Sequence, residues 1–121
     1  MKHSNQDHRI TISAAPGLIT VTVDGVVVAS TENALTLHEA NYPPVHYIPR
    51  SDLDMARFAV SDHATYCPYK GDATHYSLTT GDRLIENLCW SYEEPYPAMS
   101  DIRGHVAFYA NKAGVSVGPA T

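Results

Sequence analysis

The chain has little of what most quickly reveals a protein's chemistry. Its two cysteines, Cys67 and Cys89, stand apart rather than in C-x-x-C pairs, which removes the usual zinc-knuckle ligand set. Its eight lysines and arginines never form a run, and thirteen acidic residues leave a net charge of −5. A phosphate backbone needs a basic stripe, so no nucleic-acid partner is expected. No stretch approaches the ~18 consecutive apolar residues of a membrane span. Met1–Arg9 is polar with no apolar segment behind it, so neither membrane insertion nor a secretory leader is expected. A cytoplasmic location with reduced thiols is the resulting expectation. The seven histidines show no metal-ligand spacing, with His63, His75 and His105 on different segments, so neither a metal nor another cofactor is expected.

What is present points to a folded β domain. With 121 residues the chain suits one domain rather than two, and one of this size buries roughly two-thirds of its unfolded surface. Hydrophobic residues at 44% and charged residues at only 17% argue against disorder. Eight tyrosines suit strands, pockets and interfaces, because the ring packs while the hydroxyl finds a polar partner.

Leu18–Val23 alternates apolar residues with threonine, and β-branched residues flank Asp24-Gly25, the strongest short hairpin signal in the chain. Ala34–Glu39, Val45–Ile48, Thr65–Cys67, Ala73–Leu78, Leu84–Glu93 and His105–Tyr109 read as further strands, with Val115–Val117 as an edge strand or a tail. Ser51 or Asp52 could cap one or two helical turns through Phe58. Short strands with turns every 8–12 residues or so mean a barrel or sandwich. Met1–His8 and residues 112–121 are read as tails.

Period-2 geometry then sorts side chains into faces. Glu39 continues the apolar face of Leu35 and Leu37, a costly place for a carboxylate unless a cation such as Arg50 or Lys70 meets it. Glu86, Leu88, Trp90 and Tyr92 share one face of the longest strand; Asn87, Cys89, Ser91 and Glu93 share the other. Thr65-Tyr66-Cys67-Pro68-Tyr69-Lys70-Gly71 is the densest chemical cluster. A thiol three residues from an ammonium across a turn gains thiolate character and nucleophilicity. Cys67 equally fits a small buried hydrophobe, and Lys70 a surface cation. Trp90 and Tyr92 suit pocket walls or plain core, and His105 suits an acid–base role or a backbone hydrogen bond.

Four segments carry a wider resemblance: YPPVHYIPRSDLD (Tyr42–Asp54), TYCPYKGDATHYS (Thr65–Ser77), ENLCWSYEEPYP (Glu86–Pro97) and GHVAFY (Gly104–Tyr109). In order and spacing they resemble the DUF427 family across about residues 18–111. The resemblance implies a small mostly-β domain of two antiparallel sheets leaning together, Mss4-like (β-tent) or barrel-like. Some relatives of that topology hold zinc on paired C-x-x-C knuckles, which this chain lacks. The nucleotidyltransferase label sometimes given to the family finds little support: Asp52 and Asp54 have D-x-D spacing, but no Gly-Ser pair precedes them.

The leading expectation is a domain that binds a small, anionic ligand between its sheets. Glu39, Arg50, Thr65, Lys70, Trp90 and Tyr92 would line the pocket. Arg50 and Lys70 would hold the anion while Glu39 orients them. The rival is a thiol enzyme with Cys67 as nucleophile, activated by Lys70 or His105. A third reading is a protein-interaction module using an open sheet edge, and the same edges leave a homodimer open.

Overall fold

The computed structural model describes residues 9–118; the polar Met1–His8 segment and residues 119–121 lie outside the described residues. Ten strands account for most of it: β1 (Ile10–Ala14), β2 (Leu18–Val23), β3 (Val26–Thr31), β4 (Leu35–Glu39), β5 (Val45–Pro49), β6 (Phe58–Cys67), β7 (Gly71–Thr80), β8 (Arg83–Ser91), β9 (His105–Phe108) and β10 (Gly114–Gly118). Seven form one sheet in the order β1-β4-β5-β9-β8-β7-β6, and three form a second in the order β10-β2-β3. Every pairing is antiparallel. Asp24 (φ 52°) and Gly25 (φ 80°) make the left-handed turn between β2 and β3 that a two-residue hairpin needs. No helix among the described residues is long and apolar enough to cross a membrane.

The one or two helical turns expected before Phe58 are present, and local details sharpen the reading. The segment expected to be helical holds two 3-10 turns, Arg50–Asp52 and Met55–Arg57, with no side-chain cap on either. Asp52 instead accepts a hydrogen bond from Thr31 Oγ1 at 2.5 Å, tying the turn to β3. Phe58 then begins a ten-residue strand rather than ending a helix. Of the two readings offered for Val115–Val117, edge strand or tail, the structure takes the first: residues 114–118 pair with β2 at the edge of the small sheet.

Apolar side chains pack most of the space between the sheets. Ile19, Val21, Val23 and Val28 from the small sheet meet Ile48, Leu78, Leu88, Cys89, Val106 and Phe108 from the large one. Each such large side chain contributes roughly 1.5–3 kcal/mol as an upper estimate. Burial pushes the Cys89 thiol up to about 12, so it packs as a hydrophobe.

Alternate residues of the same strands face the other way. Leu37, Tyr47, Ala73, Tyr92 and Ala107 form a second apolar cluster, with Trp90, Val45 and Cys67 packed against it. Met99 and Ile102, from the 3-10 segment Pro97–Ile102, join that cluster. On β5 and β9 the sorting is strict: Ile48 and Val106 face the small sheet, Tyr47 and Ala107 the second face. On β8 it breaks. Asn87 takes φ 52°, the β7–β8 register shifts, and Leu88 joins Cys89 between the sheets instead of sharing a face with Trp90 and Tyr92.

Candidate functional site

The second face holds the residues that interrupt the apolar pattern. Lys70 sits in the tight turn between β6 and β7, where its N–H donates to Cys67 O at 3.2 Å and its carbonyl accepts from Tyr96 N–H at 2.9 Å. Gly71 follows at φ 118°, where a side chain would be strained, with the Glu94 carbonyl 3.5 Å from the position of a Cβ. That turn brings the ammonium indoors. Lys70 is only 6% exposed, and its Nζ donates to Glu39 Oε1 at 2.6 Å and to Cys67 Sγ at 3.6 Å. Glu39 arrives from the end of β4 on the Leu37 face, as the strand periodicity requires.

Glu39, Thr65, Lys70, Trp90 and Tyr92 line one cavity of about 200 Å³, together with Leu37, Val45, Tyr47, His75 and Tyr109. Thr65 Oγ1 and His75 Nε2 lie 2.9 Å apart, and His75 Nδ1 is buried without a hydrogen-bond partner. The His75 ring stacks nearly parallel to Tyr109 (centroids 6.2 Å, planes 7° apart) and meets His63 edge-on at 4.5 Å. Tyr109 packs on Trp90 at 4.4 Å, and Trp90 meets Tyr47 edge-to-face at 6.3 Å.

Electrostatically the cavity is quiet. Burial, then the nearby His63 and Lys112, hold the His75 imidazole below its ordinary value, so it is neutral near pH 7. Burial likewise raises the Tyr47, Tyr92 and Tyr109 hydroxyls, which stay protonated. The formal charges on the wall are those of Glu39 and Lys70, and they cancel.

A second opening adjoins the first. β5 and β9 share only two ladder pairs, Ile48 with Val106 and Pro49 with His105. Beyond them the sheet splits, and an opening of about 490 Å³ runs between the Tyr42–Ile48 side and the Phe108–Ala110 side. Its walls are mainly apolar, and it shares Glu39, Val45, Trp90 and Tyr109 with the smaller cavity.

Arg50 and His105 stand elsewhere. The Arg50 guanidinium takes the Glu93 carboxylate through both terminal nitrogens and reaches Tyr76 Oη at 3.2 Å and Ser91 Oγ at 3.4 Å. Ser91 and Tyr76 also hydrogen-bond Glu93. Arg50 follows Pro49, where β5 has ended, and Ser91 and Tyr76 turn away from the Trp90 face, so of the two cations proposed for Glu39 it is Lys70 that meets it. His105 Nδ1 bonds the Arg103 carbonyl at 3.0 Å, and the residue lines neither opening. Cys67 touches Lys70 but is not itself part of the cavity wall. Among the described residues no group of three or more His, Cys, Asp or Glu side chains could hold a metal ion.

The sequence reading passed over Tyr47, His75 and Tyr109 as wall residues. A signal for His75 existed. Counting outward from the turn pairs Thr65 with Ala73 and Ala64 with Thr74, which sets His63 against His75, and β7 then pairs His75 with Trp90.

No curated protein matches the chain. A family model does, over residues 11–118, and its description reads "Domain of unknown function (DUF427)". With that match covering nearly all of the described strands, from β1 to β10, the chain belongs to the DUF427 family.

Proposed function

We propose that this domain binds a small organic molecule on the second face of the seven-stranded sheet, within the Mss4-like, or β-tent, scaffold that the resemblance implies. The observation that carries the reading is the Glu39–Lys70 pair at the edge of an aromatic-walled cavity. Taking an ammonium and a carboxylate out of water costs several kcal/mol each, and a well-packed apolar pair usually serves stability as well or better. A buried ion pair beside open space therefore argues for something that uses its hydrogen bonds. Apolar side chains pack much of the intersheet space, and the larger opening reaches its edge through Val21, Ile48, Phe108 and Val115, so the face that carries the ion pair is the favoured one.

Ligand screening by thermal shift tests this. A molecule present at a hundred times its dissociation constant adds ~2.7 kcal/mol of stability. The Glu39→Leu/Lys70→Met double variant, which keeps the packing volume, is expected to fold and lose the response. Failure of every metabolite class to move the melting temperature, or an equal response from the double variant, removes the reading.

A thiol-enzyme reading keeps one supporting observation, the 3.6 Å contact between Lys70 Nζ and Cys67 Sγ. It expects Cys67 to be alkylated by iodoacetamide faster in the wild type than in Lys70→Met. Equal rates in two folded proteins end it.

A further inference from the structure

We infer that the occupant of this site is a molecule with an uncharged hydrogen-bonding head and a flat apolar body, the head against Glu39, Lys70, Thr65 and His75 and the body in the split between β5 and β9. The inference rests on the binding reading above and adds the chemical class of the ligand.

The charge balance of the wall decides the head. An anion would need an excess of positive charge, but Lys70 already meets Glu39 at 2.6 Å and Arg50 is engaged by Glu93 on the other face. A carboxylate or phosphate entering beside Lys70 would also face the Glu39 carboxylate at close range. A cation would meet Lys70 in the same way. In a weakly screened interior, like-charge contact outweighs a hydrogen bond. A neutral head meets neither penalty. The wall offers it a hydroxyl from Thr65, a neutral imidazole from His75 with one buried nitrogen unpartnered, and protonated phenols from Tyr47, Tyr92 and Tyr109. These groups can both donate and accept, which suits an amide, a lactam or an alcohol.

The split decides the body. The two openings share Trp90 and Tyr109, whose ring centroids lie 4.4 Å apart, so a molecule in one continues along the same aromatic wall into the other. Pro43, Pro44, Val45, Ile48, Phe108 and Val115 make the outer part apolar. The gap lies where the β5–β9 ladder stops after two pairs, and its sides combine ends of β5 and β9 with the Tyr42–Pro44 and Tyr109–Ala110 connections.

The test uses three probes sharing one body: benzamide, benzoate and benzylammonium. Trp90 is the only tryptophan of the chain, so its fluorescence reports the shared wall directly. Titrations at neutral pH are expected to show saturable change with benzamide, and at least tenfold weaker or absent change with the two ions. Phe108→Ala could loosen the intersheet core, so Pro44→Asp serves as the milder variant; it places charge at the outer opening and is expected to weaken benzamide binding while the thermal melt stays cooperative. Benzoate or benzylammonium binding more tightly than benzamide overturns the neutral head but leaves the binding reading standing. Benzamide binding equally to Pro44→Asp overturns the placement of the body. Silence of Trp90 toward all three probes overturns the inference, and the reading beneath it then rests on the wider screen alone.

Discussion

Two ion pairs sit on opposite faces of the large sheet and have different surroundings. Lys70 and Glu39 are nearly enclosed and share the wall of a cavity with aromatic residues. Arg50 and Glu93 are side chains about 36% and 41% exposed, and Ser91 and Tyr76 take up the remaining hydrogen bonds of the carboxylate. The second arrangement gives the Glu93 carboxylate its donors from Arg50, Ser91 and Tyr76, while Arg50 Nε is buried without a partner. Its charge-assisted bonds fasten β5's end to β7 and the chain after β8. The first is enclosed, costly and adjacent to room for a guest. The binding proposal rests on this contrast: it takes charge within a β domain to mark a site where burial and unused volume coincide.

The largest expected effect comes from breaking the enclosed pair on one side only. Glu39→Leu strands the Lys70 ammonium, and Lys70→Met strands the carboxylate; either is expected to cost about 3–5 kcal/mol. The double variant removes both charges and is expected to return to within about 1 kcal/mol of wild type, or above it. Urea unfolding of the four proteins checks the cycle. Single variants that each cost under about 1 kcal/mol would show that the pair is solvated, and the contrast with Arg50 would collapse.

The exposed pair is expected to matter less. Arg50→Met leaves Glu93 with Ser91, Tyr76 and water, so a loss of about 1 kcal/mol is expected. Salt sharpens the difference. At 1 M ionic strength the screening length falls to about 3 Å, which weakens the exposed pair while leaving the enclosed one largely intact. The cost of Arg50→Met is therefore expected to shrink in 1 M NaCl and that of Lys70→Met to persist. Equal salt sensitivity would mean that the two environments are alike.

The sequence made one of these pairs legible and hid the other for a physical reason. Glu39 falls two residues after Leu37 on a strand, so period-2 geometry put it on the apolar face, either at its mouth or paired with a cation such as Arg50 or Lys70. Lys70 was one of the two cations offered, and the Pro68–Gly71 turn decides for it by carrying its ammonium indoors. Arg50 comes after Pro49, where strand geometry stops, and nothing local says which face it joins. Periodicity also tells which residues share a face, not which face meets the other sheet, so the site was expected between the sheets. At Asn87 even the sharing fails, because a left-handed residue inserted in β8 moves Leu88 away from Trp90. His75 was hidden differently: a lone mid-strand histidine gains meaning only when the hairpin register sets it against His63 and Trp90.

The smallest expected effect separates the faces by pH. His75 is held below its ordinary 6.5, mainly by burial, and so is His46, by burial and then His38. A histidine with a depressed folded value binds its proton more readily when unfolded. Its stabilising contribution is therefore present above about 6.5 and lost as the pH falls through the folded value. Glu93 is held below 4.5, chiefly by Arg50. Its contribution is present above that value and lost only at lower pH. Acid should therefore weaken the protein in two stages, the histidine stage first, each group limited to about 1.4 kcal/mol per pH unit. Urea midpoints between pH 8 and 3 are expected to show a shallow decline beginning near 6.5 and a second below 4.5. His75→Gln should flatten part of the upper stage and leave the lower one; Arg50→Met should do the reverse. If His75→Gln keeps the full upper slope, the imidazole titrates freely in the folded protein, and the net-neutral balance of this wall is lost.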